Sequence, residues 1–393
     1  MIGVYSYFKN TSSPTANPDA SLYQKFNPFS TSTKTETTTT TEPTTTTPTT
    51  EPTKQTSRFY QITKFAISGA AFLEDNREVK PVGDTIPATK TFETVPSVRY
   101  VEKSTGHILQ MYLDNKTSGT ISNSTIPGVY EVLFDGLATS TIYRYPSTDG
   151  TGITSFLATL GGKSSFLTPD ILSVSLSPDK NSFFSIIKTK SGSIGVTKTF
   201  DNTKTSQVFS SPLSEWLPQW VTANTVYLTT KPSYLVNGSI FSLNTSTGKL
   251  TKLFGGIAGL TTLASNDGNF VLFGASLSNG PTLNIFDIKN HTSLDLGVYG
   301  LPEKCIWSND NINVYCAVPN TIVGTDYPDS WYQGVNSFTD YFVKINTQTK
   351  EVSTLANSQD ETAIDATSLF LDDKESTLFF TNKKDYTLWS LGL

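Results

Sequence analysis

The chain has 393 residues, a formal net charge of −5 and a sequence pI near 5.2. Charged residues make up only 16% and no stretch gathers Lys and Arg, so the clustered cations on which nucleic-acid affinity rests are missing. The length exceeds the usual single core, so a single domain is reasonable only if its core is divided among smaller units.

Residues 1–29 read as an N-terminal tail. Its first segment, Met1-Ile2-Gly3-Val4-Tyr5-Ser6-Tyr7-Phe8-Lys9-Asn10, is shorter than the ~20 apolar residues that span a bilayer, and it lacks the apolar run of a signal peptide. An aromatic cluster ending in Lys is nonetheless how many transmembrane helices meet the interface. Two readings stay open: the end of a truncated membrane anchor, or the ordinary tail of a soluble protein.

Residues 30–57 form a Thr/Pro-rich linker, uninterrupted Thr from Thr37 to Thr41 and punctuated by Pro43, Pro48 and Pro52. With almost no apolar residue to enter a core, it is expected to stay extended and solvated. A polyproline-like chain of this length reaches roughly 85 Å at ~3.1 Å per residue. The tract reads as a stalk holding the next domain off a surface, against the plainer reading of a disordered linker.

The domain proper is predicted to occupy residues 58–393. It opens with Phe59–Phe65, which resembles an isolated fourth strand. A degenerate first unit begins near Ala71–Asp75, with a long insertion before Ser97–Glu102. Beyond it, Asp135, Asp179, Asn224, Asp267, Asp310 and Asp373 sit in look-alike turns separated by 44, 45, 43, 43 and 63 residues. The clearest copies are Leu176-Ser177-Pro178-Asp179-Lys180, Ala264-Ser265-Asn266-Asp267-Gly268 and Trp307-Ser308-Asn309-Asp310-Asn311. Ser, Pro, Asp, Asn and Gly close tight turns, and the apolar residues on both sides read as paired strands. An alternating stretch such as Leu283–Ile288 supplies a third strand, and a short run such as Leu250–Phe254 a fourth. Four strands in a period near 44 residues is the signature of a propeller blade. The expectation is an all-β, seven-bladed β-propeller of four-stranded antiparallel blades. Its last unit, Ile364–Leu391, has three strands of its own, and Phe59–Phe65 is predicted to complete it and close the ring.

Cys305 and Cys316 flank the hairpin centred on Asp310-Asn311 and therefore face each other. They form either a disulfide, as an oxidising compartment would allow, or two buried thiols. His107 and His291 lie far apart, with no Cys/His partners at metal-ligand spacing. No G-x-S-x-G elbow is present. The repeated Asp residues read as turn formers, and neither a catalytic residue, nor a metal ligand, nor a cofactor site is assigned.

The jump to 63 residues marks an insertion from Pro319 to Thr339 carrying Tyr327, Asp329, Trp331, Tyr332, Gln333 and Phe338. Loops between second and third strands share a face with the connections between blades, so Glu215, Trp216, Tyr234, Glu303 and Lys304 should lie on the same side. Aromatic rings beside carboxylates and amides suit sugar stacking or a protein hot spot. The candidate binding face is therefore Trp216, Tyr234, Tyr327, Asp329, Trp331, Tyr332 and Gln333. The alternative is a loop that packs its own aromatics over the ring.

The turn-then-apolar-strand pattern resembles that of TolB-type, WD-repeat-like propellers over roughly Ser57 to Leu393. It departs from their Ser-Pro-Asp-Gly turn at Asn224, and only Asp135 and Asp267 are followed by Gly. The stretches Leu301–Val318, Tyr327–Gly334 and Leu378–Leu391 resemble membrane-anchored propeller proteins of candidate-phyla bacteria, a likeness that implies a location but no activity. The expected function is non-catalytic binding or scaffolding by a monomeric propeller outside the cell membrane, with a protein or glycan ligand on one face of the ring. A carbohydrate-binding propeller of the envelope and a propeller hydrolase or lyase are the alternatives. Fold alone does not choose among them.

Overall fold

The computed structural model describes residues 58–79, 90–147, 150, 152–278, 280–358 and 362–393. The tail (1–29) and the Thr/Pro-rich linker (30–57) lie outside the described residues. Among the described residues, no helix is long and apolar enough to cross a membrane.

The described chain is a seven-bladed β-propeller, its strands gathered into seven antiparallel sheets of four. The first strands of the blades are Ile67–Glu78, Glu131–Phe134, Ile171–Leu176, Trp216–Thr222, Thr261–Ala264, Cys305–Trp307 and Ala366–Leu371. First strands of neighbouring blades approach one another, which sets them around the ring axis. Second strands carry near-continuous apolar runs, such as Val271-Leu272-Phe273, because a blade is covered on both faces by its neighbours. The core is divided accordingly. Seven buried apolar clusters each join adjacent blades, from Val101 with Val132 between blades 1 and 2 to Phe379 with Val98 between blades 7 and 1.

The last of those interfaces exists because the chain ends meet. Phe59–Gln61 is the fourth strand of blade 7, pairing Phe59 with Leu391 and Gln61 with Trp389. Ile62 N–H extends the ladder, donating to Leu388 O at 2.8 Å. Phe59 packs edge-on against Phe342 at 5.4 Å and Phe380 at 6.4 Å. The closing segment is thus an interior piece of the core, and the strand itself is shorter than Phe59–Phe65.

Blade 1 departs from expectation in a different way. Ile67–Glu78 and Phe92–Glu102 pair out to Glu78 opposite Phe92, so much of the expected insertion is an extended hairpin. Its tip, residues 80–89, lies outside the described residues.

The turns justify the ruler in blades 2, 3, 5, 6 and 7 and correct two of its marks, whereas Asn224 sits in a two-residue hairpin between the paired Thr222 and Thr225 of blade 4. In blades 3, 5 and 6 the turn starts at Ser177, Ser265 and Ser308. Each Ser Oγ donates to the Asp two positions on and accepts the N–H of the residue five on. The left-handed position that follows the Asp is filled by Lys180, Gly268 or Asn311, with φ of 52°, 73° and 58°. In blades 2 and 7 an Asp stands in the place of that Ser: Asp135 accepts Thr139 N–H, and Asp372 accepts Ser376 N–H, each at 2.7 Å. Asp135 therefore aligns with Ser177, and Asp372 rather than Asp373 carries the turn. Where Asp179 and Asp310 serve, hydrogen bonds from Ser177 and Ser308 hold the carboxyls below their usual range. These acids are ionised and spent on their own backbone.

Candidate functional site: the strapped face

Blade 6 joins its second strand (Asn313–Pro319) to its third (Asp340–Asn346) through residues 320–339, a strap lying on the face opposite the Asp turns. One short helix, Asp329–Tyr332, interrupts it. The strap leans over neighbouring blades. Ser276 Oγ of blade 5 donates to Thr325 O at 3.2 Å, and Tyr234 N–H of blade 4 donates to Asp329 Oδ2 at 2.7 Å.

Its aromatic residues face inward. Tyr327, Trp331 and Phe338 are buried with Leu301 and partly buried Ile322. Phe338 stacks on Tyr327 at 5.4 Å and on Trp331 at 6.4 Å. Tyr327 spends its hydroxyl on Val323 O at 2.7 Å.

Beneath these rings lies a buried ion triad. Lys304 ends a one-turn 3₁₀ helix (Pro302–Lys304) that leads into the first strand of blade 6. Its Nζ lies 2.8 Å from Asp340 Oδ2 and 2.6 Å from Asp365 Oδ1, and it donates to Ala366 O at 2.9 Å. All three charged side chains are fully buried. Asp365 is the strap's anchor, accepting Trp331 Nε1 at 3.1 Å, Ser337 Oγ at 3.1 Å and Phe338 N–H at 3.0 Å. Burial would raise this carboxyl, but Lys304 and those donors outweigh it and the net direction is down. Asp340 goes the other way. Burial pushes it up to about 6 against the pull of Lys304, and its Oδ1 has no hydrogen-bond partner among the described residues. Lys383 of blade 7 adds a last tie, donating to Trp331 O at 2.8 Å.

The expected binding face is therefore redistributed. Tyr327 and Trp331 are inside the strap. Trp216 is buried edge-on between Phe209 and Phe241, at 5.7 and 5.6 Å. None of the three offers a ring face to a ligand in this structure, because each completes an apolar cluster. Asp329 is half-buried and committed to Tyr234 N–H. Tyr234, Tyr332 and Gln333 remain exposed. Tyr332 donates its hydroxyl to Glu303, whose carboxyl is raised by burial. Around them stand exposed aliphatic residues that the sequence reading passed over: Leu235 (75%), Val236 (59%), Val323 (67%) and Val335 (72%). Asp340, Asp365 and Lys383 were also missed, and the only sequence signal for them is a charge placed next to an apolar strand.

Cys305 and Cys316 are directly opposed in the first two strands of blade 6 and form a disulfide, with S–S 2.13 Å. It lies in the cluster between blades 5 and 6, one residue from Lys304. His107 bonds Thr125 Oγ1 at 3.1 Å, and His291 occupies a left-handed turn position at φ 53°. No group of three or more His, Cys, Asp or Glu among the described residues is placed to hold a metal.

No protein-family model matches the sequence, and no curated protein does. Solved structures match in shape. An oligogalacturonate lyase in complex with manganese is 9% identical with a TM-score of 0.52, over 84% of this chain and 98% of that one. The oligogalacturonate lyase of Vibrio parahaemolyticus is 8% identical with a TM-score of 0.51, over 83% and 98%. The chain shares their fold. TolB from Acinetobacter baumannii aligns at 13% identity with a TM-score of 0.43, over 65% of this chain and 61% of its own length. Identities this low speak for the fold alone, and the activity must be argued from the site.

Proposed function

We propose that this chain is a non-catalytic binding propeller, displayed outside a cell membrane, that docks a protein partner on the strapped face. The observation that carries the reading is where the exposed apolar side chains lie. Tyr234, Leu235, Val236, Val323, Tyr332 and Val335 are exposed on neighbouring loops of blades 4 and 6. On the Asp-turn face the exposed large apolar residues are scattered: Leu137, Leu250 and Val352, with Val79 and Phe92 on the blade 1 hairpin. Soluble monomers rarely expose apolar groups together unless something docks there. The strap suits docking, because its ties to Asp365, Lys383 and Tyr234 fix its backbone before a partner arrives and lower the ordering cost of binding. The disulfide and the Thr/Pro-rich tract support an extracytoplasmic setting, since disulfides persist in oxidising compartments and such tracts are typical of stalks.

Photo-crosslinking in cells producing the full chain tests this. A photoreactive residue at position 235 or 335 should give the same discrete protein adduct, one at position 137 should not, and Leu235→Asp should abolish it. Equal adducts from both faces, or no protein adduct from the strapped face, would overturn the proposal.

A further inference from the structure

The triad beneath the strap presses one amine against two carboxyls in a site closed to water. Lys304 Nζ lies 2.8 Å from Asp340 Oδ2 and 2.6 Å from Asp365 Oδ1, and all three side chains are fully buried. The rings of Trp331 and Phe338 stand over the ammonium, each centroid 5.3 Å from Nζ. Holding three charges out of water is costly, and a reaction that neutralises them removes that cost.

The two carboxyls are not equivalent. Asp365 accepts Trp331 Nε1, Ser337 Oγ and Phe338 N–H besides Lys304, and with these partners it stays ionised. Asp340 places Oδ2 on Lys304 and on the Ala366 N–H at 2.7 Å, while Oδ1 has no partner among the described residues. Burial raises this carboxyl to about 6, so part of it is the neutral acid at neutral pH. Its backbone is fixed on both sides, N–H donating to Ile364 O at 2.9 Å and O accepting Ser358 Oγ at 2.6 Å. A carboxylate touching an amine is a base, and a neutral carboxylic acid touching the same amine is an electrophile.

We propose that Lys304 and Asp340 condense after folding into an intramolecular amide, with Asp365 as the general base. Asp365 takes a proton from the Lys304 ammonium, and the freed electron pair of Nζ forms a bond to Cγ of Asp340. Negative charge collects on Oδ2, where the Ala366 N–H meets it. Of the two protons that Nζ gives up, one ends on Asp365. The other joins the proton already on Oδ1, which departs as water when its bond to Cγ breaks. The site finishes without charge, and no redox step or co-reactant is involved. Groups held in contact in this way react with effective molarities of about 10⁵–10⁸ M. The amide ties the entry of blade 6 to its third strand, one residue from the disulfide. The stability and titration of the ion triad belong to the chain before it condenses. Nothing in this step depends on what docks on the exposed patch above.

The test is mass spectrometry of the full chain, held folded for days at neutral pH and then reduced, denatured and digested with trypsin. Residues 290–344, which hold Lys304 and Asp340, should stay uncut at Lys304 and weigh one water less than their sequence. Lys304→Met and Asp340→Ala should lose no water, and Asp365→Asn should lose it about 100-fold more slowly or worse. Because a buried variant can fail to fold, the wild-type digest decides by itself. Full mass with ordinary cleavage after Lys304 would overturn the proposal. So would a branch joining Lys304 to residues 351–374, which places the amide on Asp365, or a water loss that persists in Lys304→Met.

Discussion

Removing the Lys304 ammonium tests whether the strap is held by the triad beneath it. Lys304→Met keeps an unbranched stem of similar length but deletes three donors, to Asp340, Asp365 and Ala366 O, in a fully buried site. Two buried carboxylates are then left without their cation, and one of them, Asp340, already has an unpartnered oxygen. Breaking a buried pair from one side costs about 3–5 kcal/mol, because the remaining charge cannot reach water. The expected loss in urea unfolding at neutral pH is of that order. Trp331 emission should shift to the red before the global transition, since its indole N–H bonds Asp365 and its carbonyl is tied to Lys383. Adding Asp340→Asn should restore at least about 1 kcal/mol, because an amide removes one charge yet still accepts the Ala366 N–H. A loss below about 1 kcal/mol, the worth of an exposed pair, would refute the reasoning. So would a double variant less stable than the single one.

Asp340 gives a pH signature of known sign. Its folded value is raised to about 6, so its favourable contribution is complete below its unfolded value and is lost as pH rises through the folded one. The stability of the wild type relative to Asp340→Asn should therefore fall between about pH 4 and 6, by up to ~3 kcal/mol at 1.36 kcal/mol per unit. Asp365 is shifted the other way and remains in both proteins, so a flat difference across this window would contradict the assignment. Ring closure predicts that Phe59→Ala, which opens a hole beside Phe342 and Phe380, lowers stability by about 3–5 kcal/mol in denaturant unfolding. A change below about 1 kcal/mol would mean that the ends are not joined through this side chain. The Cys305–Cys316 bond closes a short loop, with a separation of 11 residues. Replacing both cysteines by Ala should cost about 3 kcal/mol on the chain-entropy account, and a thiol count under denaturing, non-reducing conditions should find none.

The architecture was legible because a propeller repeats the same local problem. Each blade reverses the chain between its first two strands, and in blades 2, 3, 5, 6 and 7 a Ser or Asp side chain that caps its own backbone solves it. Among the turn marks the reading slipped where two chemistries solve the same geometry. Asp135 and Asp372 take the place that Ser177, Ser265 and Ser308 hold elsewhere, so aligning on the letter Asp shifted two marks. The closing strand and the opposed cysteines followed from the same pairing logic, since register in an antiparallel sheet is arithmetic once the turn is placed.

The strap was legible as a broken period but not in its content, for a reason that applies to any long insertion. A strand tells inside from outside by alternation, whereas a loop has no such period, so Tyr327 and Trp331 carried no mark of which way they face. What ties Trp331 inward is Asp365, which is near it only after blade 7 has docked, and Tyr327 joins it through the shared stack on Phe338. Lys304 and Asp365 are 61 positions apart, and nothing local ties them. Once the ion triad is buried, it needs an apolar roof to keep water out, and the aromatic residues of the strap supply that roof. The solvent-facing role then passes to Leu235, Val323 and Val335, whose apolar character is unremarkable in sequence and becomes informative only as exposure. Tyr327 and Trp331, which drew attention as a binding surface, thus hold the platform in place, and the surface it presents is built from Tyr234, Tyr332 and their plainer neighbours.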